Sequence, residues 1–458
     1  MSTKNNCSRR GFLKNTAVSG TITASVATFV PRAVLGAPGK LGANDKILLG
    51  LIGAGNMGTA NLNNCIKHDD VILTAVCDVW KKKCDKMVER FKKTAKGYHD
   101  YRDLLAQKDV DAVIIATPHQ WHCRQAVDAC EAGKDIYLQK PMTLHLAESR
   151  VVKNAVTKHN RIFQLGTQIH ASENYRRVVE WVRSGKLGDI AVARCFLVSN
   201  HAPDGEGFPP DCDPPKGLDW DFWVGPAPIR PFNTNIVKSG YAHTLWLDYG
   251  GGRTCGMSEH ILDLPYWALG LEFPTRITST SSKRFVKDNT DAPDTHEVTF
   301  EYPKLTLIWS MSQVSSFGFN LQNVEQFGKH GVPKGVQRRL GYYLQGVEGT
   351  LFGNYSTHTI VPQTPALAKS EPPEKSIPPS PGHEREWLDC VRSRKQPSCN
   401  VGYAHKLNMG NMLANLAMKV DRTLKFDPKT EAIIGDEEAT RLSVPEYRAP
   451  WKFPSEYL

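Results

Sequence analysis

The chain has no C-x-x-C pair, no internal repeat, no low-complexity tract and no apolar run long enough to cross the roughly 30 Å of a bilayer core. Each absence removes a class. Zinc fingers and ribbons want ligands two to four residues apart, so a structural zinc is not expected. Eleven cysteines in 458 residues are too few for a disulfide scaffold. A charged fraction of 23% with 40% hydrophobic residues excludes disordered and multi-span membrane classes and leaves a globular protein of two or three domains. A uniform basic surface is lacking too. The formal net charge is +10, yet residues 1–37 hold Lys4, Arg9, Arg10, Lys14 and Arg32 and no acid, which is half of that excess. The remainder is ordinarily charged and points to no nucleic acid or other polyanion.

What is present begins with an address. Ser8-Arg9-Arg10-Gly11-Phe12-Leu13-Lys14 matches the twin-arginine export pattern. A mildly apolar stretch from Ala17 to Val30 follows and ends near the small residues Leu35-Gly36-Ala37. Residues 1–37 are therefore expected to be an export signal, removed to leave a periplasmic or secreted protein without a transmembrane segment. Such a compartment permits disulfides, with Cys390–Cys399 a possible short loop.

From residue 45 the pattern alternates between strands and helices. Ile47 to Ile52 is a near-continuous apolar run, as a strand buried on both faces requires. It runs into Gly53-Ala54-Gly55-Asn56-Met57-Gly58, a G-x-G-x-x-G opening a helix, and a second strand, Val71 to Cys77, ends at Asp78. The glycines allow a tight turn and close backbone approach to a pyrophosphate, while Asp78 suits ribose hydroxyls. Asp78 favours NAD; Lys81, Lys82 and Lys83 keep NADP open, although a solvated helix face is the simpler reading of those lysines. Two further strand ends, at Thr117-Pro118-His119-Gln120-Trp121-His122 and Gln139-Lys140-Pro141, face the same cleft. Gly53, Gly55, Asn56, Met57, Gly58, Asp78, Thr117, Pro118, His122, Gln139 and Lys140 are the expected cofactor contacts, with no metal.

These motifs resemble the glucose–fructose oxidoreductase/inositol dehydrogenase (Gfo/Idh/MocA) family. Gly133 to Pro141 looks like that family's Glu-Lys-Pro signature, with Gln139 in place of the glutamate. Ser258-Glu259-His260-Ile261-Leu262-Asp263 resembles its His-x-x-Asp turn, but Gly256 stands where the family commonly has an aspartate. The leader end Pro31 to Gly36 and the tail Tyr447 to Trp451 resemble an exported sub-group. The resemblance implies an α/β Rossmann domain plus an α+β domain with a large open, mostly antiparallel sheet. It also implies an NAD(P)-dependent oxidoreductase acting on a carbohydrate or polyol, and a homodimer or homotetramer.

The expected division is a signal at 1–37, an arm at 38–44, the nucleotide domain at 45–165, a substrate and oligomerisation domain at 166–382, and C-terminal helices and tail at 383–458. Strands are expected at 163–168, 190–198, 275–282, 296–302 and 305–312, helices at 144–158, 174–184, 383–393 and 403–420, and a proline-rich strap from Pro362 to Pro381. Lys140 is the candidate positive group at the reacting oxygen, and His260 the candidate base. Asp263, Gln168, His170 and Tyr249 are candidate substrate contacts. Two catalytic cycles return the cofactor to its starting state: coupled oxidation and reduction of two sugars, or an oxidation–elimination–hydration–reduction sequence that hydrolyses a glycoside. A non-catalytic sugar-binding protein is the third alternative.

Free NAD is scarce outside the cytoplasm, so an exported enzyme is expected to retain its dinucleotide, with residues 38–44 folding over it. Deleting that arm should speed dinucleotide loss during dialysis; unchanged retention would count against the arm.

Overall fold

A computed structural model describes residues 46–315 and 338–458; the expected export signal and arm lie outside them. Six parallel strands form the first sheet: β1 (Ile47–Ile52), β2 (Val71–Cys77), β3 (Lys96–Tyr98), β4 (Ala112–Ile115), β5 (Asp135–Leu138) and β6 (Phe163–Leu165). Their order is β3-β2-β1-β4-β5-β6, so the chain reverses direction across the sheet between β1 and β4. In such sheets ligands bind at that switch point, at the carboxyl ends of the strands. Ile114, Ile115, Ile136 and Leu138 are fully buried because helices cover both faces.

The second sheet has nine strands, built from β7 (Ile190–Ser199), β8 (Arg276–Ser282), β9 (Thr295–Tyr302), β10 (Leu305–Ser312), β11 (Arg338–Gly346), β12 (Gly349–Gly353), β13 (His358–Pro362), β14 (Leu424–Asp427) and β15 (Ala432–Ile434). Its order is β13-β12-β11-β7-β10-β9-β8-β14-β15, antiparallel except for the β7–β10 pair. Along β9 and β10 the inward residues Val298, Phe300, Leu307, Trp309 and Met311 are buried while Glu297 is exposed, the alternation of a sheet covered on one face. One continuous apolar cluster runs from Ile52 and Ile115 of the first sheet to Phe300, Trp309 and Phe426 of the second.

Most expected elements form, and the differences lie at their ends. The segment expected as a strand at 163–168 stops at Leu165, because the chain turns into a short 3-10 helix, Gln168–Ala171. The helix expected from 144 starts at Leu146, where His145 and Glu148 exchange a capping box. The 403–420 helix starts earlier, at Val401, since the Asn400 side chain accepts from the Gly402 and Tyr403 amides. The proline-rich strap is held along the helix Glu173–Arg183: the Glu180 carboxylate accepts from the Ser376 and Ile377 amides, and Arg177 donates to the Pro373 carbonyl. The Cys390–Cys399 disulfide is not formed; both thiols are free. Cys399 is buried beside Thr167, whose hydroxyl donates to its sulfur at 3.3 Å, whereas Cys390 packs in the cluster beneath the first sheet.

The C-terminal helix His383–Ser393 closes that sheet from below. Trp387 is fully buried against Tyr137, Arg385 spans both oxygens of Asp70 at 2.9 and 3.0 Å, and Glu384 accepts from Asn61 at 2.8 Å. Trp387→Ala should destabilise the protein by about 3–5 kcal/mol in urea unfolding, since the cavity would open inside a close-packed cluster; a loss under about 1 kcal/mol would mean the helix is peripheral to that domain.

Candidate active site

The glycine loop builds the first wall of a cleft. Gly53 has φ +92°, and a Cβ at Gly58 would lie 2.0 Å from the Gly53 carbonyl oxygen, so the loop and the helix Asn56–Cys65 close only on glycine. A Cβ at Gly55 would meet nothing within 4 Å. That open space stands over the helix N-terminus, where backbone N–H groups suit a pyrophosphate. Asp78 holds the loop in place: its carboxylate accepts from the Ala54 amide at 2.9 Å and from the Trp80 amide at 2.8 Å. Burial raises the Asp78 pKa, opposed by the Lys83 cation and by these two donors. Lys83 lines the cleft, with its ammonium 4.9 Å from the Trp80 ring, while Lys81 is an exposed partner of Asp85. The solvated-face reading thus holds for Lys81 and is corrected for Lys83.

The opposite wall comes from far along the chain. The segment 217–243 lies across the strand ends: Lys81 donates its amide to Gly217 at 2.8 Å, Asp219 to Val79 at 3.1 Å, and the His99 ring contacts the Asp219 carboxylate at 2.9 Å. Tyr241 donates its hydroxyl to the Met57 sulfur at 2.9 Å, and Gly240 approaches Asn56 so closely that a Cβ would sit 3.2 Å from its amide nitrogen. The cleft is partly open to solvent and, mouth included, spans about 1100 Å³. Of the expected cofactor contacts, Gly53, Gly55, Asn56, Met57, Asp78, Thr117, Pro118, Gln139 and Lys140 line it. Gly58 lies just below the loop, and the open cradle over Gly55 together with the Asp78 carboxylate fits a dinucleotide.

His122 sits elsewhere. Its ring is fully buried, with Nδ1 2.7 Å from the Pro141 carbonyl and Nε2 2.9 Å from the Thr117 carbonyl. It braces the ends of β4 and β5 against each other and does not line the cleft. The cleft takes His119 and His243 instead, with ring centroids 4.9 Å apart. Burial is the main cause that lowers all three imidazoles, to about 4 for His122 and about 3 for His243, and well below the usual value for His119. These rings are therefore neutral at physiological pH. The Nε2 of His243 is buried without a hydrogen-bond partner among the described residues. In the sequence Lys83 stood out only as one of three lysines past Asp78, and Tyr241 and His243 only within an aromatic-rich run from Trp220 to Tyr249 that suited sugar faces or plain packing; Trp80 carried no signal.

At the inner end, the buried Lys140 ammonium donates to the Gly256 carbonyl at 2.6 Å. Gly256 is closely overlaid by Thr244, whose Cβ would stand 3.1 Å from an added Cβ. His260 lies one turn farther along, nearly buried, with its ring 6.0 Å from Tyr355 and its carbonyl accepting from Tyr175. Asp263 and His170 are brought together: Nδ1 lies 3.1 Å from each carboxylate oxygen, and Tyr403 donates to the same carboxylate at 2.6 Å. Burial lowers His170, but Cys399 and Asp263 overcome this and push it up to about 10. His170, Asp263 and Cys399 converge within 4.8 Å, and their mutual bonds make them a buried polar cluster. Gln168 is half-buried on the neighbouring turn; Tyr249 is fully buried, donating to the Pro228 carbonyl at 3.2 Å. None of His260, Asp263, Gln168, His170 and Tyr249 lines the glycine-loop cleft.

Comparison with known proteins gives this geometry a context. Residues 47–167 match the model of an oxidoreductase family, NAD-binding Rossmann fold, and residues 207–303 and 334–453 match the C-terminal alpha/beta domain of the same family. A glycosyl hydrolase family 109 protein of Shewanella baltica (strain OS185) is 28% identical over 204 residues, 40% of this chain and 44% of that protein. The match thus spans less than half the length of that relative. The fold is similar to the WlbA dehydrogenase of Bordetella pertussis, crystallised with NADH and UDP-GlcNAcA (TM-score 0.61, 15% identity, 83% of this chain and 98% of that one). It is similar also to GenD2 from gentamicin A biosynthesis in complex with NAD (TM-score 0.59, 16% identity, 84% and 97%).

The two glycine positions separate folding from binding. Gly58→Ala should lower both the unfolding midpoint and dinucleotide affinity, because the backbone must move. Gly55→Ala should leave the midpoint unchanged and weaken the dinucleotide at least about tenfold by calorimetry; equal effects of the two would remove the pyrophosphate from this loop.

Proposed function

This chain belongs to the Gfo/Idh/MocA oxidoreductase family, and on that premise we propose that it oxidises a hydroxyl of a sugar, sugar derivative or polyol by hydride transfer to NAD. The observation that carries this reading is Lys140, a buried ammonium at the end of β5 where the glycine-loop cleft ends. Bound in the cleft, the dinucleotide supplies the hydride acceptor. The chain's own residues do the rest. Gly53 to Gly58 and Asp78 seat the dinucleotide, and Asp78 beside a neutral adenosine ribose favours NAD over NADP. Lys140, aligned by the Gly256 carbonyl, stabilises negative charge developing on the substrate oxygen. His260 is the proposed base, and the neutral His243 forms part of the cleft wall. Asp263, His170 and Gln168 shape the polar ground beneath His260, and Tyr249 packs the covering segment.

The leader Ser8 to Lys14 supports export to the periplasm or beyond. In that setting the segment 217–243 laid over the cleft favours a retained cofactor, restored within each cycle. Half-exposed residues on the outer face of the nine-stranded sheet, such as Thr299 and Thr306, favour self-association as a dimer or tetramer. A second reading, an NAD-dependent glycosidase, is favoured by the glycosyl hydrolase family 109 relative.

Mass spectrometry of the denatured, purified protein should release one dinucleotide per chain. Adding a sugar panel should raise absorbance at the reduced-nicotinamide band, and Lys140→Met should cut that rate about 100-fold or more. Hydrolysis of nitrophenyl glycosides without added NAD would instead select the glycosidase. Dinucleotide without either activity would leave a sugar-binding protein.

A further inference from the structure

The last stretch of chain, from Tyr447 to Tyr457, has no part in the reaction proposed for the cleft, yet it is bonded firmly in place. Both of its ends are fixed to the nucleotide domain. Tyr447 donates its hydroxyl to the buried Glu148 carboxylate at 2.6 Å. Tyr457 donates to Glu131 at 3.0 Å, its hydroxyl lies 2.8 Å from the His159 ring, and its carbonyl accepts from Asn154 at 2.8 Å. These partners sit on or beside the helices His122–Glu131 and Leu146–Lys158.

Between these anchors the tail crosses the segment that covers the cleft. Arg448 bonds to it with both main chain and side chain. Its amide donates to the Pro226 carbonyl at 2.9 Å and its Nε to the Gly225 carbonyl at 3.0 Å; its Nη atoms reach the Asp221 carboxylate at 2.7 Å and the Asp221 carbonyl at 2.9 Å. The guanidinium thus caps the carboxyl end of the short helix Trp220–Val224, where a cation meets carbonyls left over by the helix. Trp451 lies across the next turn. Its ring stacks over Phe222, centroids 5.5 Å apart and planes 7° from parallel, and stands edge-on to Trp121 at 4.7 Å. The Arg102 guanidinium lies 5.1 Å from the same ring.

Trp121, Phe222 and Trp223 all line the cleft, at the end marked by Asp78 and His99, whereas Arg448 and Trp451 do not. The tail therefore stands directly behind an aromatic wall of the cleft. The segment is seated tightly against that wall: Gln120 and Trp121 both donate to the Trp223 carbonyl, at 3.1 and 3.0 Å, and a Cβ at Gly225 would lie 2.2 Å from the Trp121 ring. Bonds at Gly217, Asp219 and Tyr241 join the segment directly to the nucleotide domain. The tail adds a fastening from outside, so Phe222 cannot lift from the cleft without unstacking Trp451 and straining the Arg448 bonds.

Resting on a dinucleotide held in the cleft, whichever reaction follows, we propose that the tail is a latch: Arg448 and Trp451 hold the segment 217–243 down and set how slowly the dinucleotide leaves. Both act through the segment and are positioning residues.

NADH bound to the full chain fluoresces, so a chase with excess NAD in a stopped-flow cell reads its release rate. Arg448→Met and Trp451→Ala should each raise that rate about tenfold or more. Trp451→Phe keeps an aromatic face against Phe222 and should stay within about threefold of wild type. A thermal melt without dinucleotide reports folding, and Arg448→Met carries the test if Trp451→Ala does not fold. Trypsin cleavage after the exposed Lys238, in protein stripped of dinucleotide, should also be faster in both variants. The proposal is overturned if the folded variants release NADH at the wild-type rate, or if Trp451→Phe releases it as fast as Trp451→Ala. A wild type that binds no NADH would overturn the dinucleotide reading of the cleft instead, and the trypsin rates would still decide whether the tail holds the segment.

Discussion

A buried ammonium needs oxygen partners, and that requirement fixes how the two sheets of this protein meet. Lys140 has little access to water, so its charge is tolerable only where acceptors converge on it. The Gly256 carbonyl provides one at 2.6 Å. This single bond ties the carboxyl end of β5 to the helical path that runs from Gly252 to Leu269 beside the nine-stranded sheet. Around the same point lie Gln139, whose amide donates to Asn61 at 2.7 Å, and Thr244, which overlays Gly256. A displaced Lys140 would strand a charge, so the junction is specified by electrostatics as well as by the shared apolar core.

The surroundings of that charge are kept neutral by burial. His119, His122 and His243 are all lowered far enough to stay uncharged, and Glu259 is raised far enough to hold its proton near neutrality. These described groups near Lys140 are thereby held uncharged. Such an arrangement suits stabilisation of a negative oxygen, because preorganised charge in a dry site is worth more than the same charge in water.

The covering segment joins binding to architecture. It reaches the nucleotide domain through main-chain bonds at Gly217 and Asp219, and it delivers Tyr241 and His243 to the cleft. Its own small core, formed by Leu218, Trp223, Phe232, Trp246 and Tyr249, keeps it rigid. A cleft covered by a self-supporting segment can hold a dinucleotide more firmly than the glycine loop alone, at the cost of slow exchange. Tyr249 belongs to this core, which explains why an aromatic chosen from sequence as a substrate contact is packed away from the cleft.

The parallel sheet, the glycine loop, Asp78, Lys140 and four of the second sheet's nine strands, β7 to β10, were legible from the chain. They depend on local period, turn geometry and short spacing, all of which are written in neighbouring residues. The motif around Ser258 to Asp263 was legible as a pattern, but burial and partners decided what each side chain does. His122 braces two strand ends, His170 pairs with Asp263, and Cys399 meets Thr167 rather than Cys390. What the sequence by itself determined is the nucleotide fold, its acidic strand end at Asp78 and a lysine at the end of β5. Only the tertiary structure decided that His243 joins Lys140, that Lys83 turns into the cleft, and that Glu259 has lost its water. These depend on contacts between residues more than a hundred positions apart and on local dielectric, neither of which a linear spacing encodes.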